Sequence, residues 1–160
     1  MVKKDLYLRL IVVIMAMLQP VIILWVCGFD IPSISSSWQT ILQPLYIITN
    51  AMTSFFFFGI NKWRLPAILL LMLTAFSVDF TPIFHNIIAG IFFLSCVYPL
   101  SHIRRLKHYV TLYFMSIFIW FCFGLFWFET WGIYVLCIYH LNLIWYRIKI
   151  EKVATIKINK

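Results

Sequence analysis

The chain has 160 residues, of which 64% are hydrophobic and 11% charged, with a net charge of +8 and a mean hydropathy of +0.97. A soluble domain carries about a quarter charged residues, so this composition excludes an ordinary soluble fold and points to a single integral membrane domain over residues 1–160. The positive charge does not indicate nucleic acid as a partner. The basic residues sit in short breaks between apolar runs, where they act as topology signals, and no basic groove with interleaved aromatics is present.

The first apolar run, about 8–28, follows the basic start Met1-Val2-Lys3-Lys4. It is longer than the apolar core of a secretion signal and lacks a small-residue cleavage pattern, so it reads as a retained span. Further runs occupy about 39–60, 64–79, 83–100, 109–128 and 130–147. A crossing helix needs roughly 20 apolar residues, and these six runs approach that length. The breaks between them, such as Asn61-Lys62-Trp63-Arg64 and Phe128-Glu129-Thr130, are short enough that successive helices are antiparallel neighbours. The expected fold is an all-α, polytopic, six-transmembrane-helix antiparallel bundle.

All thirteen Lys and Arg residues fall on one side of this plan. The other side carries Asp30, Asp79 and Glu129. By the bias of cytoplasmic loops toward Lys and Arg, both termini are expected in the cytoplasm. Trp38, Trp63, Trp127, Trp131 and Trp145 fall near the interfaces, where an amphipathic ring is favoured. The four cysteines, Cys27, Cys96, Cys122 and Cys137, have neither CxxC nor Cys/His spacing. They read as small buried hydrophobes.

Within the spans, a set of polar residues falls at similar depth. A rise of 1.5 Å per residue puts Gln19 at ~16 Å from the basic end, Asn50 and Thr74 at ~15 Å, Ser116 at ~12 Å and His140 at ~10 Å. These residues are expected to face the bundle interior. They serve either as hydrogen-bonding contacts between helices, worth about 0.6 kcal/mol each, or as a polar cavity or path through Gln19, Asn50 and His140. No charged residue lies at mid-depth, which argues against ion transport. Haem ligation is not indicated, because His85 and His140 lie in opposite halves and His102 and His108 lie in a basic connection.

The acidic side gathers Asp30, the stretch PSISSSWQ, Asp79, Thr81, His85, Asn86 and Glu129. Two readings stand side by side. Asp79 or Thr81 can cap the fourth span, and Ser33, Ser35 and Ser36 can cap the second. Alternatively Asp30, Asp79, His85 and Glu129 hold a divalent metal such as zinc, with Asp79, His85 and Glu129 as catalytic candidates.

The segment IPSISSSWQT (31–40) resembles a Pro-Ser-Ile-Ser segment of bacterial six-span proteins, and VDFTPIFHNIIAGIFF (78–93) resembles their turn into span four. The plan is similar to that of the DRAM/Sfk family. That resemblance implies a bacterial cytoplasmic membrane but no reaction, and the Arg-Asp pair of the bacterial relatives is missing from LQPLYIITN. A narrower resemblance, through Ser35, Asp79, His85 and His140, is to the ceramidase and progestin/adiponectin-receptor superfamily of zinc hydrolases. This chain departs from it in lacking HxxxH in its last span and in having one span fewer.

The function expected is a lipid- or partner-binding accessory or scaffold module without catalysis or cofactor. Its partners would be membrane lipids, other membrane proteins or further copies of itself. The alternatives are a metal-dependent lipid hydrolase and a channel or transporter subunit.

Overall fold

The computed structural model of the chain describes the backbone of residues 2–76 and 81–158, and the side chains of 6–76, 81–146, 148 and 149. The described residues are helical without strands. The α-helices are α1 (Val2–Cys27), α2 (Gln43–Phe58), α3 (Arg64–Ala75), α4 (Pro82–Ser95), α5 (Val97–His102), α6 (His108–Phe123) and α7 (Leu125–Ile158), with 3-10 turns at Ser35–Gln39, Asn61–Trp63 and Arg104–Leu106. Apolar runs become helices here because hydrocarbon offers the backbone no partner other than itself.

Three boundaries differ from the sequence reading, each for a local reason. The last two helices meet at Gly124, not at Phe128-Glu129-Thr130. Gly124 has φ +94° and ψ 179°, a conformation that only glycine adopts cheaply, and it turns the chain in one residue. Glu129 therefore lies within α7 rather than in a connection. The second span is composite: the serines form their own 3-10 turn, and α2 starts later, after Leu42, with Pro44 in its first turn. They do not cap α2, whose N-cap Leu42 makes no side-chain bond. Thr81 is the N-cap of α4 but its side chain makes no capping bond. The fourth run is broken at Cys96, three residues before Pro99, because the proline has no N–H for the carbonyl of Ser95.

Helices adjacent in sequence pack side by side, and α1 also packs on α7, so the order α6–α7–α1–α2–α3–α4 curls around a centre. Phe93 of α4 closes the ring by stacking on Tyr113 of α6 at 4.3 Å between centroids. Polar side chains fasten neighbours to each other's backbones. Ser54 Oγ donates to Ala67 O at 2.6 Å, Trp131 Nε1 to Leu112 O at 2.7 Å and Tyr139 Oη to Pro99 O at 3.1 Å.

Exposure is inverted relative to a water-soluble protein. Gln19, Thr49, Ser116 and His140 are at most 2% exposed, whereas Trp25, Ile41 and Phe121 are more than 80% exposed. Three helices, Leu6–Cys27, Pro82–His102 and Arg104–Phe123, are long and apolar enough to cross a membrane. The inverted exposure and these helices fit a membrane protein.

The turn at Gly124 is expected to be intolerant of a side chain. Gly124→Val should destabilise the fold by about 1–3 kcal/mol, the usual strain of such a backbone conformation. A melt in mild detergent checks this, and an unchanged midpoint would contradict it.

Candidate functional site

The curl of helices lines a partly open cavity of about 160 Å³, to which α1, α2, α3, α4, α6, α7 and the serine turn all contribute. Most of its wall is apolar, including Val13, Ala16, Leu73, Phe92 and Leu136. Polar groups lie on it at three levels.

At the acidic end, Glu129 reaches from the start of α7 to the serine turn. Its Oε2 accepts the Ile34 N–H at 2.5 Å. The first N–H groups of a helical turn lack partners within it, and here a carboxylate 95 residues away in sequence supplies one. The turn is also stitched internally. Ser33 Oγ lies 2.9 Å from Ser35 Oγ and 2.7 Å from Ser36 Oγ, and Ser37 Oγ donates to Ile34 O at 2.6 Å. Trp38 Nε1 donates to Thr74 O at 3.4 Å, tying the turn to α3. Ser33, Ser35 and Ser37 are buried, so PSISSSWQ is a plug in the end of the bundle rather than a loop above it. His85, also buried and on the cavity wall, donates from Nδ1 to Phe76 O at 2.7 Å and so satisfies a carbonyl at the end of α3.

At mid-depth stand Gln19 and Asn50. Gln19 Nε2 is buried without a partner. At the basic end, the His140 ring sits in an aromatic box. Centroids of Phe56, Phe57, Trp63 and Tyr139 lie 5.2, 5.0, 4.7 and 5.5 Å from it. His140 Nε2 also has no partner. Beyond His140 lies a second cavity of about 400 Å³, which shares Phe56 and His140 with the first and carries Arg9, Lys62 and His102.

The polar residues singled out in the sequence divide into two groups. Gln19, Asn50 and His140 share the cavity wall. Thr74 and Ser116 are buried but satisfied within their own helices, by Leu70 O at 2.8 Å and Tyr113 O at 2.5 Å, and do not link helices. Of the acidic-side candidates, His85 and Glu129 line the cavity, and Asp30 is exposed and off it. Asp79 lies outside the described residues. Among the described residues no three His, Cys, Asp or Glu side chains gather as a metal would require. All four cysteines are free, with Cys137 on the cavity wall.

Sequence reasoning missed two features. Tyr46, Thr49, Asn50, Thr53 and Ser54 recur at helical spacing along α2, a polar stripe that the 3.6-residue period makes visible. The second is the meeting of Arg9, Lys62 and His102 on one cavity wall, where the sequence offers only topology signals and a loop histidine. Nothing in their spacing brings together three residues from distant parts of the chain. Comparisons with protein-family models, curated proteins and solved structures find no match to this chain.

Chemically, the site is suited to holding a guest. A dry cavity on the order of 150 Å³ accommodates an apolar group the size of a benzene ring, and the unpartnered nitrogens offer it polar anchors. The Glu129 latch is testable apart from any guest. Glu129→Ala leaves the buried Ile34 N–H without an acceptor and should cost about 1–3 kcal/mol. Hydrogen exchange at Ile34 should rise steeply in Glu129→Ala and less in Glu129→Gln. Equal protection in all three proteins would refute the latch.

Proposed function

We propose that this is a non-enzymatic membrane protein of six antiparallel spans, with both termini in the cytoplasm, that binds a lipid-like amphiphile inside its bundle. The observation that carries this reading is the apolar cavity in which Gln19 Nε2 and His140 Nε2 are buried without partners. In hydrocarbon an unsatisfied polar group costs several kcal/mol. A guest with an apolar body and an ester, carbonyl or hydroxyl oxygen removes that cost while filling the cavity. Such a molecule is available in the surrounding bilayer.

The six-span count rests on the alternation of basic and acidic ends. At 1.5 Å per residue, the 16 residues of α2 and 12 residues of α3 extend about 24 and 18 Å. These fall short of a 30 Å hydrocarbon layer, and local thinning of the bilayer together with the serine plug makes up the difference. In a background with the four cysteines replaced by alanine, Cys placed at Asp30 and at Lys107 should react with an impermeant maleimide from opposite faces of the membrane. Reaction of both from one face would refute this topology.

A transport reading draws support from one further feature, the sharing of His140 and Phe56 by the two cavities. Solute flux in proteoliposomes would favour it.

Binding is tested by native mass spectrometry of the protein released from mild detergent. One retained amphiphile per chain is expected. Ala16→Phe, which fills the cavity, should lose it while keeping a cooperative melt. A bare polypeptide mass for the unaltered protein would overturn the reading.

A further inference from the structure

We propose that the guest of the central cavity is an uncharged lipid whose polar group is a hydroxyl, held at the level of Gln19. This rests on the amphiphile reading above and names the chemical class of the guest.

Packing fixes which residues share that level. Ile23 of α1, Tyr46 of α2 and Phe126 of α7 meet in one buried cluster. Val13 and Ala16 of α1 meet Cys137 of α7 in another, and the Arg9 side chain of α1 lies over the Phe56 ring of α2. Moving back along α1 therefore corresponds to moving forward along α2 and α7. One helical turn from the first cluster brings Gln19, the pair Thr49 and Asn50, and Thr130 to a common level. Gln19 Nε2, Thr49 Oγ1 and Thr130 Oγ1 are all buried there without a partner, on residues at most 5% exposed. Gln19 and Asn50 are on the cavity wall, and Thr130 adjoins the wall residue Glu129.

The same turn of α1 offers an acceptor beside the donor. Pro20 has no N–H to give the carbonyl of Ala16, and Ala16 is also on the cavity wall. An amide nitrogen donates, a carbonyl oxygen accepts and a hydroxyl does both. A guest hydroxyl can therefore accept from Gln19 Nε2 and donate to Ala16 O, whereas a carbonyl could use only the donor.

A charged group does not suit this level. No Lys or Arg among the described residues lines the cavity. The bases whose side chains lie outside the described residues are remote along described helices. The nearest, Lys4 and Arg147, stand about 22 Å from Gln19 along α1 and about 25 Å from Thr130 along α7. Residues 77–80 contain an acid and no base. An anion beside Gln19 would thus meet the carboxyl of Glu129 on the same wall and no cation. A cation would meet the donor side of the Gln19 amide. Either would lie about 12 Å inside the nearer end of the apolar stretch Leu6–Cys27, a depth at which charge is costly.

The test uses the full chain, delipidated in mild detergent. Three probes share one oleyl chain, namely oleyl alcohol, oleyl sulfate and oleyltrimethylammonium, and octadecene is the hydrocarbon reference. Probes are added in equal pairs, and bound molecules are counted by native mass spectrometry. Oleyl alcohol should be retained at one per chain and preferred about tenfold over each of the others. Gln19→Met, which keeps the side-chain length and removes the amide, should bring the alcohol-to-octadecene ratio close to parity. If that variant does not fold, the double variant Thr49→Val, Thr130→Val should lower the same ratio severalfold. Preference for any other probe, or no preference among the four, overturns the hydroxyl assignment and leaves the amphiphile reading standing. An alcohol preference unchanged in whichever of these variants folds puts the hydroxyl elsewhere and overturns the assignment as well. Retention of none of the four overturns both readings.

Discussion

Inside a bilayer a polar group has no water to fall back on, and this single constraint accounts for most of the structure. Each buried hydroxyl, amide and carboxylate must find an acceptor or donor within the bundle. Thr53, Thr74 and Ser116 do so on their own helices, Ser54 on a neighbour, and His85 on the C-cap carbonyl of α3. Glu129, the most demanding of these groups, is met by the Ile34 N–H at the serine turn. That pairing holds the turn inside the bundle instead of above it. Four side-chain atoms among the described residues are left over: Gln19 Nε2, Thr49 Oγ1, Thr130 Oγ1 and His140 Nε2. Two of these belong to residues on the wall of the central cavity, and that coincidence underlies the functional proposal.

The fold places those residues there through a few local decisions. Gly124 turns the chain so abruptly that Glu129 enters α7 rather than a loop. Pro99 breaks the fourth run near Cys96, and Tyr139 then anchors α7 to the Pro99 carbonyl. Phe93 and Tyr113 join α4 to α6 through their rings, which leaves room behind them for a cavity instead of a closely packed core. An aromatic box around His140 separates this cavity from the basic one while leaving the imidazole on both walls.

Much of this was legible in the residues. Composition and apolar run length indicate a helical membrane protein, and a simple count of rise per residue brings Gln19, Asn50 and His140 to one inner surface. The same count groups Thr74 and Ser116 with them, and both are buried, but their hydroxyls turn back on carbonyls of their own helices and do not line the cavity, which depth alone does not reveal. A lone acid between two apolar runs points to a turn at Glu129, and only the φ of Gly124 displaces the break by five residues. The convergence of Arg9, Lys62 and His102 was not legible, since it depends on which helices lie side by side. Asp79, central to the metal reading, lies outside the described residues.

The central claim is that the cavity reached by His140 holds a guest, and the imidazole itself can report on it. The most direct measurement is nitrogen NMR of histidine-labelled protein in nanodiscs, compared between delipidated and lipid-reloaded samples. The account predicts that the His140 resonances move on reloading while those of His108, off both cavities, stay in place. It also predicts that Ala16→Phe abolishes the movement. Lipid uptake with His140 unmoved would place the amphiphile on the outer surface of the bundle and contradict the account.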